Sequence, residues 1–251
     1  AVFNVNRKPD IPRISIDALA EKYKLPDLRP ALLDFFSQWS NDPLFHSIGG
    51  RRGTHTNARL PFTNVIVWYS VRIQTYSLDD KSVTSPRRLN ATPPCDSWPF
   101  GRYDTALFAH SNVDPALSPD VGLAGYDISQ IRLILHLIWD REVPDAPSYL
   151  VYAQRFNIIP QLTSIPPTHA AIPNPVTGLY LVKRALRADK SRIGDIIPLS
   201  HCRVPIQLVP RFGAKADARI TSRNSMEWSR EFFLNTYFDK DIFQYLRGSR
   251  L

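Results

Sequence analysis

Apolar residues follow two spacings along the chain, and each spacing predicts a different kind of element. Between residues 62 and 209, short stretches rich in β-branched and aromatic residues partly alternate with polar ones, as is typical of strands. The predicted strands span 62–76, 103–109, 128–138, 149–158, 178–185 and 204–209. Clusters of Asp, Gly, Pro and Ser separate them without helical crossovers, so the pattern favours antiparallel pairing in a compact barrel or sandwich.

Helical spacing dominates the first 45 residues, after an extended entry. We expect Ser15 to cap a first helix that Pro26 ends. A second helix is expected to start at Asp27, with Pro30 tolerated in its first turn. This second helix is too apolar and too poor in basic or amide side chains to read a DNA groove. Packing on a core is therefore the better interpretation of both helices.

Helical spacing returns near the end of the chain. Asn224 and Glu227 stand at the spacing of a capping box, and Asp239 is expected to cap a final short helix. Together these patterns predict an α+β fold, with a barrel-like, antiparallel β-rich core flanked by N-terminal and C-terminal helices. The expected segments are a helical one over 1–45, the β-rich core over 46–212 and a helical one that packs on the core over 213–251.

Composition narrows the possibilities further. The 22 prolines against 10 glycines disfavour long helices, and the stretches 85–99 and 159–177 are expected to be long proline-rich loops. No apolar run approaches the roughly 20 residues that a membrane-spanning helix needs. Cys95 and Cys202 form no CxxC pair, so neither a disulfide scaffold nor a cysteine zinc site is expected. The chain begins with Ala1 and its only methionine is Met226, so we expect an internal piece of a longer polypeptide.

Charge gives the first indication of a partner. Thirty-one Lys and Arg residues against 23 Asp and Glu residues give a net charge of +8. This balance favours a polyanion such as DNA, because basic surfaces release condensed counterions when they bind one. The glycine-rich loop 46–61 has no Walker or GxGxxG spacing. It could contact a nucleic-acid backbone, but a solvated linker is the favoured interpretation.

Ten basic residues are candidates for contacts with DNA phosphates. They are Arg51, Arg52, Arg87, Arg88, Lys183, Arg184, Arg187, Arg211, Lys215 and Arg219. DNA binding predicts that the basic residues cluster on one surface. An equally supported alternative is that Arg211 and Arg219 pair with Asp217 and Glu227 inside the fold.

Catalytic patterns are missing from the sequence. There is no GxSxG elbow, and the six histidines are scattered, with no HxxxH or HExxH pair. We therefore expect no active site, no cofactor, no metal and no small-molecule substrate in this chain.

One nuclease hypothesis remains as an alternative. Asp140 follows the apolar strand 128–138, which is how ribonuclease-H-like nucleases present their first magnesium ligand. Asp195, with Glu227 or Glu231, would have to complete the site. However, Asp195 is expected in a turn and no βαβ crossover separates the strands, so an exposed acidic turn is favoured at Asp140.

The order of several segments resembles a known family. The segment LVPRFGAKADARITSRNSMEWSREFFLNTYFDKDIF (208–243) is similar to the C-terminal region of Plavaka-type transposase proteins of basidiomycete fungi, relatives of the CACTA and KDZ elements. Further segments fit in the same order: DIPRISIDALAEKYKLPDLRPALLDFF (10–36), IGGRR (48–52), the strand at 65–76, PPCDSWPFGRYDTALF (93–108), YLVYAQRFNIIPQL (149–162) and GLYLVKRA (178–185). The resemblance implies a nuclear mobile-element protein whose catalytic carboxylates precede this segment. No catalytic residue of the family maps onto this chain.

Two functions of different class follow. The first is a non-catalytic accessory segment that binds DNA or helps to assemble the transposition complex. The second is a module for self-association or chromatin contact, because the strands over 103–212 and the segment IIPLSHCRV (196–204) vaguely resemble SH3-like or BAH barrels. A reader of modified histone tails would need an aromatic cage, but core packing is the better interpretation of the aromatic residues.

Overall fold

Two antiparallel sheets and a few short helices make up the part of the protein that the structure describes. The computed structural model describes residues 1–39, 60–77, 82–109, 123, 125–139, 147, 149–160, 173–174, 176–213, 215 and 217–247. The strands are β1 (Val2–Val5), β2 (Ile11–Ser15), β3 (Asn64–Trp68), β4 (Ser70–Gln74), β5 (Arg87–Thr92), β6 (Arg102–Tyr103), β7 (Thr105–Ala109), β8 (Tyr126–Ile138), β9 (Leu150–Ile158), β10 (Tyr180–Arg184), β11 (Gly194–Pro198), β12 (Cys202–Ile206), β13 (Leu208–Pro210) and β14 (Glu231–Leu234). The helices are α1 (Ile16–Tyr23), α2 (Leu28–Trp39), α3 (Ser225–Trp228) and α4 (Lys240–Arg247), with a 3-10 turn at Leu199–His201.

The smaller sheet has the strand order β1-β4-β5-β6. The larger sheet has ten strands, with the main order β12-β7-β8-β9-β10-β14-β13 and with β3, β2 and β11 attached to its central strands. The end strands β12 and β13 do not pair with each other, so this sheet is not a closed barrel within the described residues. The expected α+β class with an antiparallel, β-rich core is confirmed.

The two longest strands, β8 and β9, form the centre of the larger sheet. β8 pairs with β7 through its first half, with β3 through its second half and with β9 along its other edge. Its side chains from Ile128 to Leu135 are all buried, so both faces of this stretch are covered, and the polar side chains of Ser129, Gln130 and Arg132 are buried with the apolar ones. A β-bulge between Ile131 and Leu133 leaves Arg132 out of the ladder with β9.

The predicted strand 62–76 is two strands that belong to different sheets. β3 joins the larger sheet and β4 the smaller one, with Tyr69 between them. The carboxylate of Asp10 accepts a hydrogen bond of 2.7 Å from the backbone N–H of Tyr69. The Asp10 side chain thus accepts the hydrogen bond that the N–H of Tyr69 would donate to a neighbouring strand in a continuous ladder.

The N-terminal segment is only partly helical. The Ser15 hydroxyl accepts a hydrogen bond from the N–H of Ala18, so the predicted cap is confirmed. α1 ends at Tyr23 rather than at Pro26, because Lys24 adopts the left-handed conformation with φ of 55°. The segment also supplies β1 and β2, which the helical prediction for 1–45 omitted.

Four other predictions were wrong in the described residues. β5 lies inside the proline-rich stretch 85–99, which was expected to be a loop. β11 replaces the turn expected around Asp195, and β14 interrupts the helical segment expected over 213–251. Asn224 makes no capping hydrogen bond with its side chain, whereas Asp239 caps α4 through the N–H of Ile242.

Two apolar clusters hold the sheets and helices together. The first packs α1 and α2 against β3, β8, β9 and β11, and the second lies between β10, β12, β14 and α4. Cys202 is fully buried, and burial raises the pKa of its thiol to about 12, whereas Cys95 is exposed. In the described part of the chain, no helix is long and apolar enough to cross a membrane.

Candidate functional site

A row of exposed polar side chains crosses the smaller sheet. Asn4 of β1 lies opposite Arg72 of β4, and Arg72 lies opposite Arg88 of β5. Residues directly opposite each other in an antiparallel pair point to the same face. All three are exposed, so the two arginine side chains leave the same face of the sheet from directly opposite positions.

Arg102 extends this basic area to the edge of the same sheet. It lies opposite Thr92, four residues beyond Arg88 on β5 and therefore on the same face. Its guanidinium stacks over the ring of Trp98 at 5.4 Å from the ring centroid. We call Asn4, Arg72, Arg88 and Arg102 the basic sheet face.

Within the residues that the structure describes, no carboxylate forms an ion pair with Arg72, Arg88 or Arg102. Asp104, which follows β6, accepts hydrogen bonds of 2.8 and 2.7 Å from the backbone and side chain of Asn90. The basic sheet face is therefore suited to bind an anion.

The predicted DNA-contacting residues are divided between surface and interior. Arg88 belongs to the basic sheet face, and Lys183 and Lys215 are exposed. Arg87 turns towards α4, where it forms an ion pair with Asp239 and stacks over Phe238. Arg51 and Arg52 lie outside the described residues.

Two of the predicted residues are exposed but already paired. Arg211 donates a hydrogen bond of 2.7 Å to Glu231, which lies opposite Lys183. Arg219 forms a two-pronged pair with Asp217, and its hydrogen bonds lower the pKa of that carboxyl to about 2. The alternative that these arginines pair with carboxylates inside the fold named the correct partner for Arg219, Asp217, but this pair is exposed rather than interior. It was wrong about Glu227, because Arg211 pairs with Glu231 instead.

Arg184 and Arg187 point into the fold, so they do not contribute to a basic surface. Arg187 lines a cleft of about 520 Å³, which we call the arginine cleft. Arg184 is not part of this lining, but it interacts electrostatically with Arg192, Glu227 and Arg132, which are. The residues that line the cleft come from the end of α1, the start of α2, β8, β9, the loop between β10 and β11, and α3. They are Lys24, Leu25, Pro26, Asp27, Pro30, Arg132, Gln154, Arg187, Asp189, Ser191, Arg192 and Glu227.

Glu227 is the centre of the polar network in this cleft. Its carboxylate forms ion pairs of 3.0 Å with Arg132 and 2.5 Å with Arg192. Burial acts to raise the pKa of Glu227, but the hydrogen bond from Arg192 and the charges of Arg132, Arg192 and Arg184 outweigh it, so the pKa lies below its usual value. Glu227 is therefore ionised at neutral pH.

Arg184 lies behind this network and has no carboxylate partner in the described residues. It donates hydrogen bonds to Gln130 and to the carbonyl oxygen of Met226, and it stacks over Phe156 at 4.9 Å. Burial, together with the charges of Arg192 and Arg132, lowers its pKa to about 9. The guanidinium is still protonated at neutral pH, in a region with more positive than negative charge.

A second polar network closes the other side of the cleft. Asp27 accepts hydrogen bonds of 2.5 Å from the hydroxyl of Tyr152 and 2.6 Å from Arg187. Tyr152 is fully buried, and its hydroxyl reaches Asp27 past Gly194, where a side chain would overlap the phenol ring. The absence of a side chain at Gly194 thus lets β9 contact the start of α2.

The carboxylates of the nuclease hypothesis are separated by their partners. Asp195 pairs with Arg155, Glu227 with Arg132 and Arg192, and Glu231 with Arg211. Asp140 lies outside the described residues. Among those that the structure describes, no group of three or more His, Cys, Asp or Glu side chains is placed to hold a metal ion.

Most of the aromatic residues considered for a cage pack in the core. Trp68, Tyr103 and Tyr152 are buried, and the ring of Trp68 packs edge-on against Tyr149 at 5.3 Å. Tyr103 lies beneath Arg132, whose guanidinium is 3.9 Å from the ring centroid.

Sequence reasoning missed Arg72, Arg102, Arg132 and Arg192. One of them carries a signal in the sequence, since Arg132 is the one charged residue, with His neutral, inside the mostly apolar predicted strand 128–138. The other three depend on which strands and loops are neighbours in space, which the sequence does not specify.

Comparison with known proteins identifies a family over most of the chain. A family model described as a domain of unknown function, DUF6830, matches residues 1–172. No curated protein and no solved structure matches the chain. The matched region includes the basic sheet face and ends before β10, so the β10–β11 loop and α3 contribute to the arginine cleft from outside it.

Proposed function

The chain belongs to the DUF6830 family, and from that premise we propose that it is a non-catalytic accessory segment of a transposase-like protein that binds the DNA backbone. The observation that carries this proposal is the basic sheet face, with Arg72 and Arg88 directly opposite each other. The resemblance to Plavaka-type transposase proteins supports the same role and a nuclear location.

Like charges directly opposite in a sheet destabilise it, because their repulsion is not offset by a neighbouring carboxylate. A DNA phosphate placed between Arg72 and Arg88 would relieve this repulsion and release counterions from the duplex. Exposed arginines on a sheet surface contact phosphates without reading base edges. We therefore propose binding that depends strongly on salt and weakly on sequence.

Fluorescence-polarisation titrations against a fluorescent DNA duplex over a range of salt concentrations test this proposal. The triple variant R72Q/R88Q/R102Q is expected to weaken binding at low salt by about tenfold or more. It is also expected to make the slope of log K against log salt shallower by about 2 to 3, since each phosphate contact contributes about 0.9.

A variant with the same change in net charge serves as the control. R29Q/R211Q/R219Q removes three exposed arginines, each of which is already paired with a carboxylate. Its salt slope is expected to stay close to that of the unmodified protein. Equal losses in the two triple variants, or no binding at low salt, would contradict the proposal.

A protein-interaction module is the second candidate function. We propose it on the exposed aromatic pair Phe100 and Trp228, whose rings pack edge-to-face with their centroids 6.3 Å apart. Phe100 is 38% exposed and Trp228 is 48% exposed. An SH3-like or BAH-like arrangement of the strands around β8 and β9 would fit this role.

If this pair mediates self-association, W228S is expected to reduce the fraction of dimer. Sedimentation velocity over a hundredfold range of protein concentration measures that fraction. A protein that is monomeric throughout the range would rule out self-association through this surface.

A further inference from the structure

We propose that the arginine cleft binds a phosphate monoester group. The inference is independent of DNA backbone binding, because it rests on residues that lie away from the basic sheet face. Three features carry it: an excess of positive charge, buried donors without partners and a rigid arrangement of the arginines.

The charge excess is found around Glu227. Arg132 and Arg192 share this one carboxylate, and Arg184 donates its hydrogen bonds to neutral groups of Gln130 and Met226. The lining carries four positive side chains, Lys24 among them, and three negative ones, and Arg184 adds a fifth positive charge to the network. Buried charges are normally compensated, so this excess of about two positive charges calls for an anion. A phosphate monoester carries up to two negative charges and so matches this excess.

Two of these arginines also have unused donors. The Nε atoms of Arg132 and Arg184 are buried and have no hydrogen-bond partner within the described residues. Arg132 is 6% exposed and Arg184 is 9% exposed, so bulk solvent does not satisfy these atoms. Buried polar groups are nearly always hydrogen-bonded, so these two donors call for an acceptor such as a bound anion or a water molecule.

The arginines are held in place before any ligand arrives. The β-bulge removes Arg132 from the ladder with β9, and its guanidinium stacks on Tyr103. Gln154 accepts hydrogen bonds of 3.4 Å from Arg132 and 3.3 Å from Arg192. A cation that is already oriented loses little side-chain entropy when it binds an anion.

The remaining lining indicates what the phosphate is attached to. Asp27, Asp189 and Glu227 supply acceptors for hydroxyl groups, and a volume of about 520 Å³ is suited to a small organic molecule. The phosphate monoester would come from a free sugar phosphate or nucleotide, or from the 5′-terminal phosphate of a nucleic-acid strand. A terminal phosphate differs from the backbone diesters in both charge and accessibility.

Isothermal titration calorimetry at low ionic strength separates these sources. The probes are inorganic phosphate, adenosine 5′-monophosphate, adenosine, and a pentanucleotide with either a 5′-phosphate or a 5′-hydroxyl. We expect saturable 1:1 binding of the probes that carry inorganic phosphate or a phosphate monoester, and no binding of adenosine. Preference for the 5′-phosphorylated pentanucleotide over the monophosphate would assign the site to strand ends, and the opposite order would assign it to small molecules.

Three variants test the location of the site. R192Q is expected to weaken binding of adenosine 5′-monophosphate by about tenfold or more, because it removes a charge-assisted contact. K24N changes an exposed residue, and asparagine tolerates the φ of 55° found at this position. The variant therefore tests the cleft without a risk to folding. R29Q removes an arginine whose partner is the exposed Asp17, and it is expected to bind as tightly as the unmodified protein.

The proposal is overturned if the unmodified protein shows no saturable binding of any phosphate probe. It is also overturned if K24N and a folded R192Q bind adenosine 5′-monophosphate as tightly as R29Q. Loss of duplex binding in R72Q/R88Q/R102Q leaves this result unaffected, so failure of one proposal is distinguishable from failure of the other.

Discussion

The variant E227Q is expected to lower the free energy of unfolding by about 3–5 kcal/mol. Glu227 is the carboxylate that Arg132 and Arg192 share, and 17% of its side chain is exposed. Glutamine keeps the shape and one acceptor oxygen but removes the negative charge, which leaves buried guanidinium groups without a counter-charge. Removing one partner of a buried ion pair typically costs this much, since the other charge stays buried and unpaired.

Chemical denaturation followed by tryptophan fluorescence measures this loss, and E231Q is the matched control. Glu231 also pairs with an arginine, but 39% of its side chain and 47% of that of Arg211 are exposed. Water screens such a pair, so E231Q is expected to cost at most about 1 kcal/mol. Equal effects of the two substitutions would show that the arginine cleft does not depend on its carboxylate.

Acid titration gives a second measure of the same contact. The folded state lowers the pKa of Glu227 below its usual value, so its contribution to stability is present above the unfolded pKa of about 4.3 and is lost as the pH falls through the folded pKa. The unmodified protein should therefore lose more stability than E227Q as the pH falls below about 4.3. Parallel pH profiles for the two proteins would contradict the assignment.

The variant G194A is expected to destabilise the protein by about 3 kcal/mol or more. A methyl group at this position would overlap the hydroxyl and ring of Tyr152, which is fully buried and held by Asp27. The ring has no free space to move into, because protein interiors are close-packed. Displacing it would also break its charge-assisted hydrogen bond to Asp27, which adds to the cost of overpacking.

Thermal denaturation of G194A is best compared with that of G213A, since nothing lies within 4 Å of a methyl group at Gly213. G213A is expected to change stability by less than about 0.5 kcal/mol, as is usual for exposed positions. The double variant G194A/Y152L should be more stable than the sum of the two single effects predicts, because the shorter side chain removes the overlap. Additive effects would mean that Tyr152 is not the group that the methyl displaces.

The local pattern of apolar and polar residues was sufficient to predict the elements whose burial is uniform or strictly periodic. The run 128–138 was predicted as a strand and lies within β8, and 149–158 corresponds to β9. Ser15 was correctly predicted as a helix cap, since capping depends only on residues three positions away.

Elements that depend on distant partners were not predictable in this way. β5 contains Arg87, Arg88 and Asn90, which suggest a loop, but it is stabilised by pairing with β4 and β6 on either side. β14 has the sequence EFFL and lies between β10 and β13, whereas its apolar residues also fit a helix face. In both segments, pairing with neighbouring strands overrides the conformation that the local sequence favours.

The candidate site shows the same division. Arg88 was identified because the sequence is basic there, but its neighbours Arg72 and Arg102 are brought to it by the strand order of the smaller sheet. Arg184 and Arg187 were predicted on the surface. Alternation places Lys183 and Arg184 on opposite faces of their strand, but it does not show which of the two faces the rest of the fold covers. The order of strands in space was the missing information.

The position of β14 affects how the chain reaches its folded state. During synthesis, β10 emerges about 50 residues before the strand that covers its edge, and β12 must find β7 across about 95 residues. Until then, β10 exposes unpaired N–H and C=O groups that favour intermolecular pairing and aggregation. A chain shortened to residue 172 would leave the outer edge of β9 bare, because both β10 and β11 would be missing. The larger sheet therefore extends beyond the region that the family model matches, to Leu234 at the end of β14.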